Sequence, residues 1–166
     1  MSPQPTGHLD GNDLIIVRTF AASIDEVWAS VTQPEKTALW FGRWEGEAGP
    51  GKVVRLQLLH EKDQPWSNMK IEECAAPDRL VVAMKDDYGD WRIELTLTRV
   101  DTGTQLRFVQ VLSDRALAGE VGPGWEYYLD MLVAAREGKP LPSFGDYYPA
   151  QKAHYLADAW RHPADL

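Results

Sequence analysis

Three things are scarce in this sequence, and each scarcity narrows what the chain is. Cysteine comes first: Cys74 is the only one. A single thiol forms no internal disulfide, which excludes the cross-linked framework of small secreted domains. Long apolar runs are missing too, with none near the roughly 20 residues that cross a bilayer. Residues 1–12 are polar and Pro/Gly-rich, without the basic and apolar stretches of a secretory leader. They predict a flexible tail, and the chain as a whole predicts a cytoplasmic protein. Positive charge is the third scarcity, 17 Lys and Arg against 25 Asp and Glu, for a net charge of -8. With no local basic cluster, neither nucleic acid nor an anionic membrane is an expected partner.

Recognisable reaction motifs are also absent. No phosphate-binding glycine loop, nucleophile elbow or Cys/His pair occurs. His8, His154 and His162 have no ligand spacing, so neither a metal site nor a cofactor is expected. Asp86, Asp87 and Asp90 crowd around Tyr88 and Gly89 but lack the other ligands of a calcium loop, and read as a solvated turn. Cys74 has no evident basic partner and reads as structural.

What the chain does have is an average globular composition, 44% hydrophobic and 25% charged over 166 residues. That is enough to close the core of one domain. It is rich in tryptophan, with seven, beside six Tyr and four Phe. Aromatic rings bring large buried areas to cores and cavity walls alike.

Periodicity supplies the elements. Residues 14–20 (LIIVRTF) read as a strand rich in β-branched side chains. Ser23 with Glu26 forms a capping box, and Ile24, Val27, Trp28 and Val31 recur at helical spacing to about Thr32. Pro34 suits the first turn of a second short helix, 35–41, with Gly42 as its stop. Residues 46–51 (GEAGPG) form a turn. Period-two alternation then marks strands at 52–60, 68–74, 79–85, 91–100 and 104–112, joined by short turns into an antiparallel meander. In the last of these Gln110 shares the apolar face, or a bulge near Val109 changes the register.

A sheet of about six strands with one dry face needs a cover. Residues 125–137 supply it, with Trp125, Tyr128, Leu129, Leu132 and Val133 on one stripe and Gly138 and Pro140 as the stop. Residues 114–121 read as a separate turn of helix, because Gly119, Gly122 and Pro123 interrupt the pattern. Beyond residue 141 comes an extension with Phe144, Tyr147 and Tyr148, then a helical segment over 150–160.

The segment AASIDEVWASVTQPEKTALWFG (21–42) resembles the opening of the AHSA1-type branch, the Hsp90 ATPase activator homologues, of the START-like (SRPBCC) superfamily. GWEYYLDMLVAAREGKPL (124–141) is similar to that family's closing helix. The resemblance implies an α+β helix-grip fold: a curved antiparallel sheet wrapped around the long C-terminal helix, with two short helices after the first strand. It covers the domain (13–141), between the tail (1–12) and an extension (142–166) that it does not explain; the extension is expected to pack on the domain or on a partner subunit, a homodimer in the latter case. The resemblance also implies that the sheet stands off the helix and leaves a cavity.

The inward stripes would line that cavity with Leu56, Leu58, Met69, Ile71, Trp91, Ile93 and Phe108, joined by Trp40. The helix would add Trp125, Tyr128 and Leu132. His60 and Gln110 are its candidate polar groups, His60 either an anchor or base, or solvated at a strand end. Gln110 either meets a ligand or satisfies the protein's own polar groups. Arg18 either points inward as an anchor for an anionic ligand or pairs with an acidic neighbour. No catalytic residue is assigned. Three functions stay open. A binder of an apolar or aromatic small molecule leads. A cavity enzyme of cyclase or hydrolase type, built on His60, is the first alternative. An interaction module like the Hsp90 activator, using the extension's aromatics, is the second.

Overall fold

The alternating middle of the chain closes into one open antiparallel sheet. The computed structural model describes residues 3–86 and 89–160. Its eight strands are β1 (His8–Asp10), β2 (Asp13–Phe20), β3 (Gly42–Glu45), β4 (Val53–Leu58), β5 (Trp66–Ala75), β6 (Arg79–Asp86), β7 (Gly89–Val100) and β8 (Gly103–Val111). They lie in the order β1-β2-β8-β7-β6-β5-β4-β3. Because β2 lies next to one edge of that order and β3 forms the other, the chain between them must cross the sheet. It does so as α1 (Ile24–Thr32) and α2 (Pro34–Thr37). Ser23 and Glu26 close the expected capping box, and Val27 and Val31 point into the core. The long cover, α3 (Ala118–Glu137), lies over the dry face, and Gly138 ends it in the left-handed conformation at φ 66°. This is the helix-grip arrangement.

Several expectations are corrected. Two strands went unseen. β1 falls inside the expected tail: the chain turns at Gly11 (φ 61°) and pairs His8–Asp10 back onto β2. β3 begins at Gly42, expected as a helix stop. A side chain there would overlap the Gln57 carbonyl, so the glycine serves a close strand approach. Of the two readings of the last strand, Gln110 on the dry face holds and the bulge near Val109 does not. β8 pairs without interruption with both β2 and β7 through Val109. The register shifts instead in β5, between Ile71 and Glu73. Strand residues alternate faces, so the extra Glu72 reverses the parity after it. Cys74 thereby joins Leu80 on the concave side, while Glu73 turns out to meet Arg79 at 3.2 Å. Asp87 and Tyr88 of the expected acidic turn, and His162, lie outside the described residues.

The long helix also starts earlier than its pattern suggests. A 3-10 turn at Arg115–Leu117 runs directly into Ala118, and α3 continues through Pro123. Proline there forfeits one helical hydrogen bond, and glycine weakens a helix. Packing overrides both. A Cβ on Gly122 would lie 2.6 Å from the Tyr155 ring, and one on Gly119 would lie 2.8 Å from Leu156. The two glycines form the groove that seats α4 (Lys152–Ala159).

A buried carboxylate ties these pieces together. Glu126, 1% exposed, accepts hydrogen bonds from Thr6 N and Oγ1 (both 2.6 Å), Gly7 N (3.1 Å), Arg18 Nη2 (2.8 Å) and Tyr155 Oη (2.5 Å). Arg18 is therefore spoken for. Its Nε meets Asp130 at 2.9 Å, and Tyr147 donates to the same carboxylate at 2.7 Å. Burial pushes the Glu126 carboxyl up, but hydrogen bonds from Arg18, Thr6 and Tyr155 outweigh it and hold the pKa below the ordinary glutamate value. The N-terminal segment, α3 and the extension thus share one anion.

Candidate functional site

The concave face and α3 do not meet everywhere. Two adjoining chambers remain between them. The inner one, about 110 Å3, runs under the α1–α2 corner to Ala48 and Cys74. The outer one, about 520 Å3, lies between the β4–β7 side of the sheet and the first half of α3. Phe41, Met84 and Trp125 border both and stand between them.

The residue alternation explains who lines what. On β4, Leu56 faces the inner chamber and Leu58 the outer. Register then aligns Val54, Met69 and Met84 across three strands, and Ile71, Val82 and Ile93 across the next row. Of the expected lining residues, Trp40, Leu56, Met69, Ile71, Ile93 and Phe108 border the inner chamber. Leu58, His60, Trp91 and Tyr128 border the outer one, and Trp125 borders both.

Two expected residues lie elsewhere. Leu132, 1% exposed, is packed into the core; Leu129, one turn nearer Trp125, takes the wall position. Gln110 lies on the dry face between Leu14 and Ile93, and its Oε1 accepts the Trp125 indole N–H at 2.7 Å. Its amide is spent on fixing a wall residue, because a buried indole N–H needs a partner. His60 is beyond the end of β4 and exposed, so it stands at the rim.

Other wall residues escaped the sequence pattern. Phe41 follows α2, whose four residues carry too little periodicity to orient it. Its ring packs 5.5 Å from Trp125 and 5.0 Å from Tyr128. Met84 was legible as part of an inward stripe, but only its pairing opposite Trp91 places it between the chambers. Tyr127 and Phe144, packed edge to face at 5.5 Å, bring the extension into the outer wall. Burial raises the pKa of the Tyr127 hydroxyl.

The polar chemistry sits in the outer chamber. Tyr128 donates to Glu61 Oε2 at 2.9 Å. Burial, then the Glu61 charge, push the Tyr128 hydroxyl far up, so it is a neutral donor throughout the physiological range. Among the described residues no group of His, Cys, Asp and Glu is placed to hold a metal ion, and no helix is long and apolar enough to cross a membrane.

Solved structures share this architecture. CalU16 of Micromonospora echinospora matches with a TM-score of 0.75 and 26% identity, covering 89% of this chain and 88% of its own. The protein encoded by gene BPP1335 of Bordetella parapertussis matches with a TM-score of 0.72 and 22% identity, covering 98% and 95%. DynU16, from the dynemicin biosynthetic locus, matches with a TM-score of 0.68 and 21% identity over 84% of this chain and 51% of its own. No curated protein sequence matches the chain. The family model described as activator of Hsp90 ATPase homolog 1-like protein matches residues 21–137, from the chain's crossing helices to the end of α3. With its resemblance matched by a family model over most of its length and by the fold, the chain belongs to the AHSA1-like family.

Proposed function

We propose that this protein binds an apolar or aromatic small molecule in the chamber between sheet and α3. One observation carries the reading: the outer chamber, about 520 Å3, is walled by Phe41, Trp91, Trp125, Tyr127, Tyr128 and Phe144. Its volume falls in the ~300–1,000 Å3 range of small-molecule sites, which are apolar with a few placed polar groups. Trp125 and Tyr128 are held by hydrogen bonds to Gln110 and Glu61, so the walls are set before a ligand arrives. Binding would occur through burial of apolar surface, with the rim selecting orientation.

The alternatives draw less support. His60 is exposed and has no hydrogen bond or ion pair among the described residues, so a base built on it lacks the partner that catalysis needs. The extension's aromatics are largely spent on the domain: Tyr147 and Tyr155 are buried and Phe144 packs on Tyr127.

A panel of apolar and aromatic compounds followed by thermal shift tests the proposal. A ligand present at about 100 times its Kd adds ~2.7 kcal/mol, which raises the Tm of a chain this size by roughly 5–11 °C. Trp91→Ala is expected to abolish that shift while the unliganded protein still unfolds cooperatively. A panel without any shift, together with a bare mass in native mass spectrometry, would sink it.

A further inference from the structure

The two chambers differ in chemistry as sharply as in size. On the inner wall nearly every polar group is turned back into the protein. Trp40 Nε1 donates to the Ser30 carbonyl and Trp44 Nε1 to the Thr32 carbonyl, both at 2.9 Å. Thr32 Oγ1 donates to the Trp28 carbonyl at 2.7 Å and Thr37 Oγ1 to the Pro34 carbonyl at 3.2 Å. With the Trp125 indole spent on Gln110, only the Cys74 thiol remains. A polar group entering this space would lose water and gain nothing.

The outer chamber is the reverse. Its carboxylates are engaged, Glu61 by Tyr128 and Glu120 by Tyr148 and Lys152, each at 2.8–2.9 Å. Its free groups can all donate, and the Lys62 ammonium can only donate. The Ser67 and Tyr127 hydroxyls, the His60 ring and the Lys62 ammonium make no hydrogen bond or ion pair among the described residues. Between the chambers stand Phe41, Met84 and the pinned Trp125. Met84 is unbranched and rearranges readily, so the boundary admits something slender.

We propose that the ligand is a two-part molecule, held with a fixed polarity. Its aromatic or alicyclic body fills the outer chamber. A slender hydrocarbon arm passes Phe41 and Met84 into the inner chamber, and an anionic, acceptor-rich end stays at the rim beside Lys62 and His60. The inner chamber, about 110 Å3, sets the length of the arm. This inference rests on the small-molecule reading above and adds the ligand's class and orientation.

The test uses naphthoate, ethylnaphthoate and butylnaphthoate, with the alkyl group across the ring system from the carboxylate, and an aminomethyl analogue of the last. Affinities are read by quenching of tryptophan fluorescence in the full chain. Each methylene that enters the inner chamber is expected to tighten Kd about fourfold. The aminomethyl compound is expected to bind about two- to fivefold more weakly than the carboxylate, roughly the effect of one misplaced charge at an exposed rim. Cys74, the sole cysteine, is exposed where the inner chamber meets the surface, so an arm filling the chamber covers only its inner side; it gives a second readout. Butylnaphthoate is expected to slow its alkylation by maleimide in part, and naphthoate to leave the rate unchanged. Leu80→Phe, filling the inner chamber, is expected to erase the alkyl gain and leave the naphthoate Kd as it was. Naphthoate binding with no gain along the series, or with Cys74 unshielded, overturns the seated arm. Equal or tighter binding of the amine overturns the anionic end. Failure of every probe to bind overturns the small-molecule reading itself.

Discussion

At the scale of single residues, Glu126 is the most constrained group outside the chambers. A buried carboxylate is costly in isolation, and here five hydrogen bonds from four residues and the Arg18 charge offset that cost. Its folded-state pKa is depressed, so the unfolded state binds the extra proton first as pH falls. The stabilisation is fully present above the ordinary glutamate value and is lost as pH drops through the lower folded value. Glu126→Gln is expected to cost roughly 3 kcal/mol at neutral pH by leaving Arg18 undercompensated. It should also flatten the decline in stability as pH falls below the ordinary glutamate value. Urea unfolding across that range compares the two proteins; parallel curves would show that Glu126 adds nothing to the acid response. Sequence periodicity gave no hint of this role. Position 126 sits one residue after Trp125 on a helix, where a glutamate reads as a solvated face, and only the returning termini bury it. Gln110 is the opposite case: its place on a dry strand was legible, and its partner was not.

Elements were legible wherever local pattern and tertiary demand agree. The capping box at Ser23, the alternating strands β4 and β6–β8 and the Gly138 stop all satisfy both. The start of α3 was not, since Gly119, Gly122 and Pro123 disfavour helix locally and packing against α4 reverses the outcome. Gly122→Ala separates the two effects. Helix propensity alone favours alanine by about 1 kcal/mol. Overpacking against the Tyr155 ring costs about 1–3 kcal/mol, so the net change is expected to be destabilising. Gly124→Ala, whose Cβ would meet open space, is expected to stabilise by up to about 1 kcal/mol. Denaturant midpoints of the two variants moving in the same direction would count against the groove. Hydrogen exchange should further locate the Gly122→Ala loss in α4.

For the whole molecule, the matched family region ends at residue 137, and the chain continues into a segment that folds back on it. α4 contacts α3 and β1, Tyr155 is fully buried, and Phe144 joins the chamber wall. A chain ending after Pro140 loses Tyr155 and Tyr147 from the Glu126 network. Loss of a buried large aromatic costs ~3 kcal/mol or more, equivalent to a Tm lower by roughly 6–12 °C. Differential scanning calorimetry measures it; a truncated chain with unchanged Tm would show that the extension is only an appendage. Trp160, 76% exposed at the end of this segment, is outside that network.

The sequence by itself determined the class of fold, the dry face of the sheet, the helix that covers it and most of the rings around the cavity. The dry face and its covering helix follow from periods of two and 3.6 residues, which act within a strand or a helical turn; the helix grip and its cavity were what the family resemblance implied. Tertiary structure alone decided that sheet and helix stand apart and that the space divides in two. It also set Cys74 at the exposed margin of the inner chamber through a bulge one residue long, and made Leu9, Tyr147 and Tyr155 part of the buried interior. These depend on how side chains far apart in sequence fill the same volume, and no local period records that.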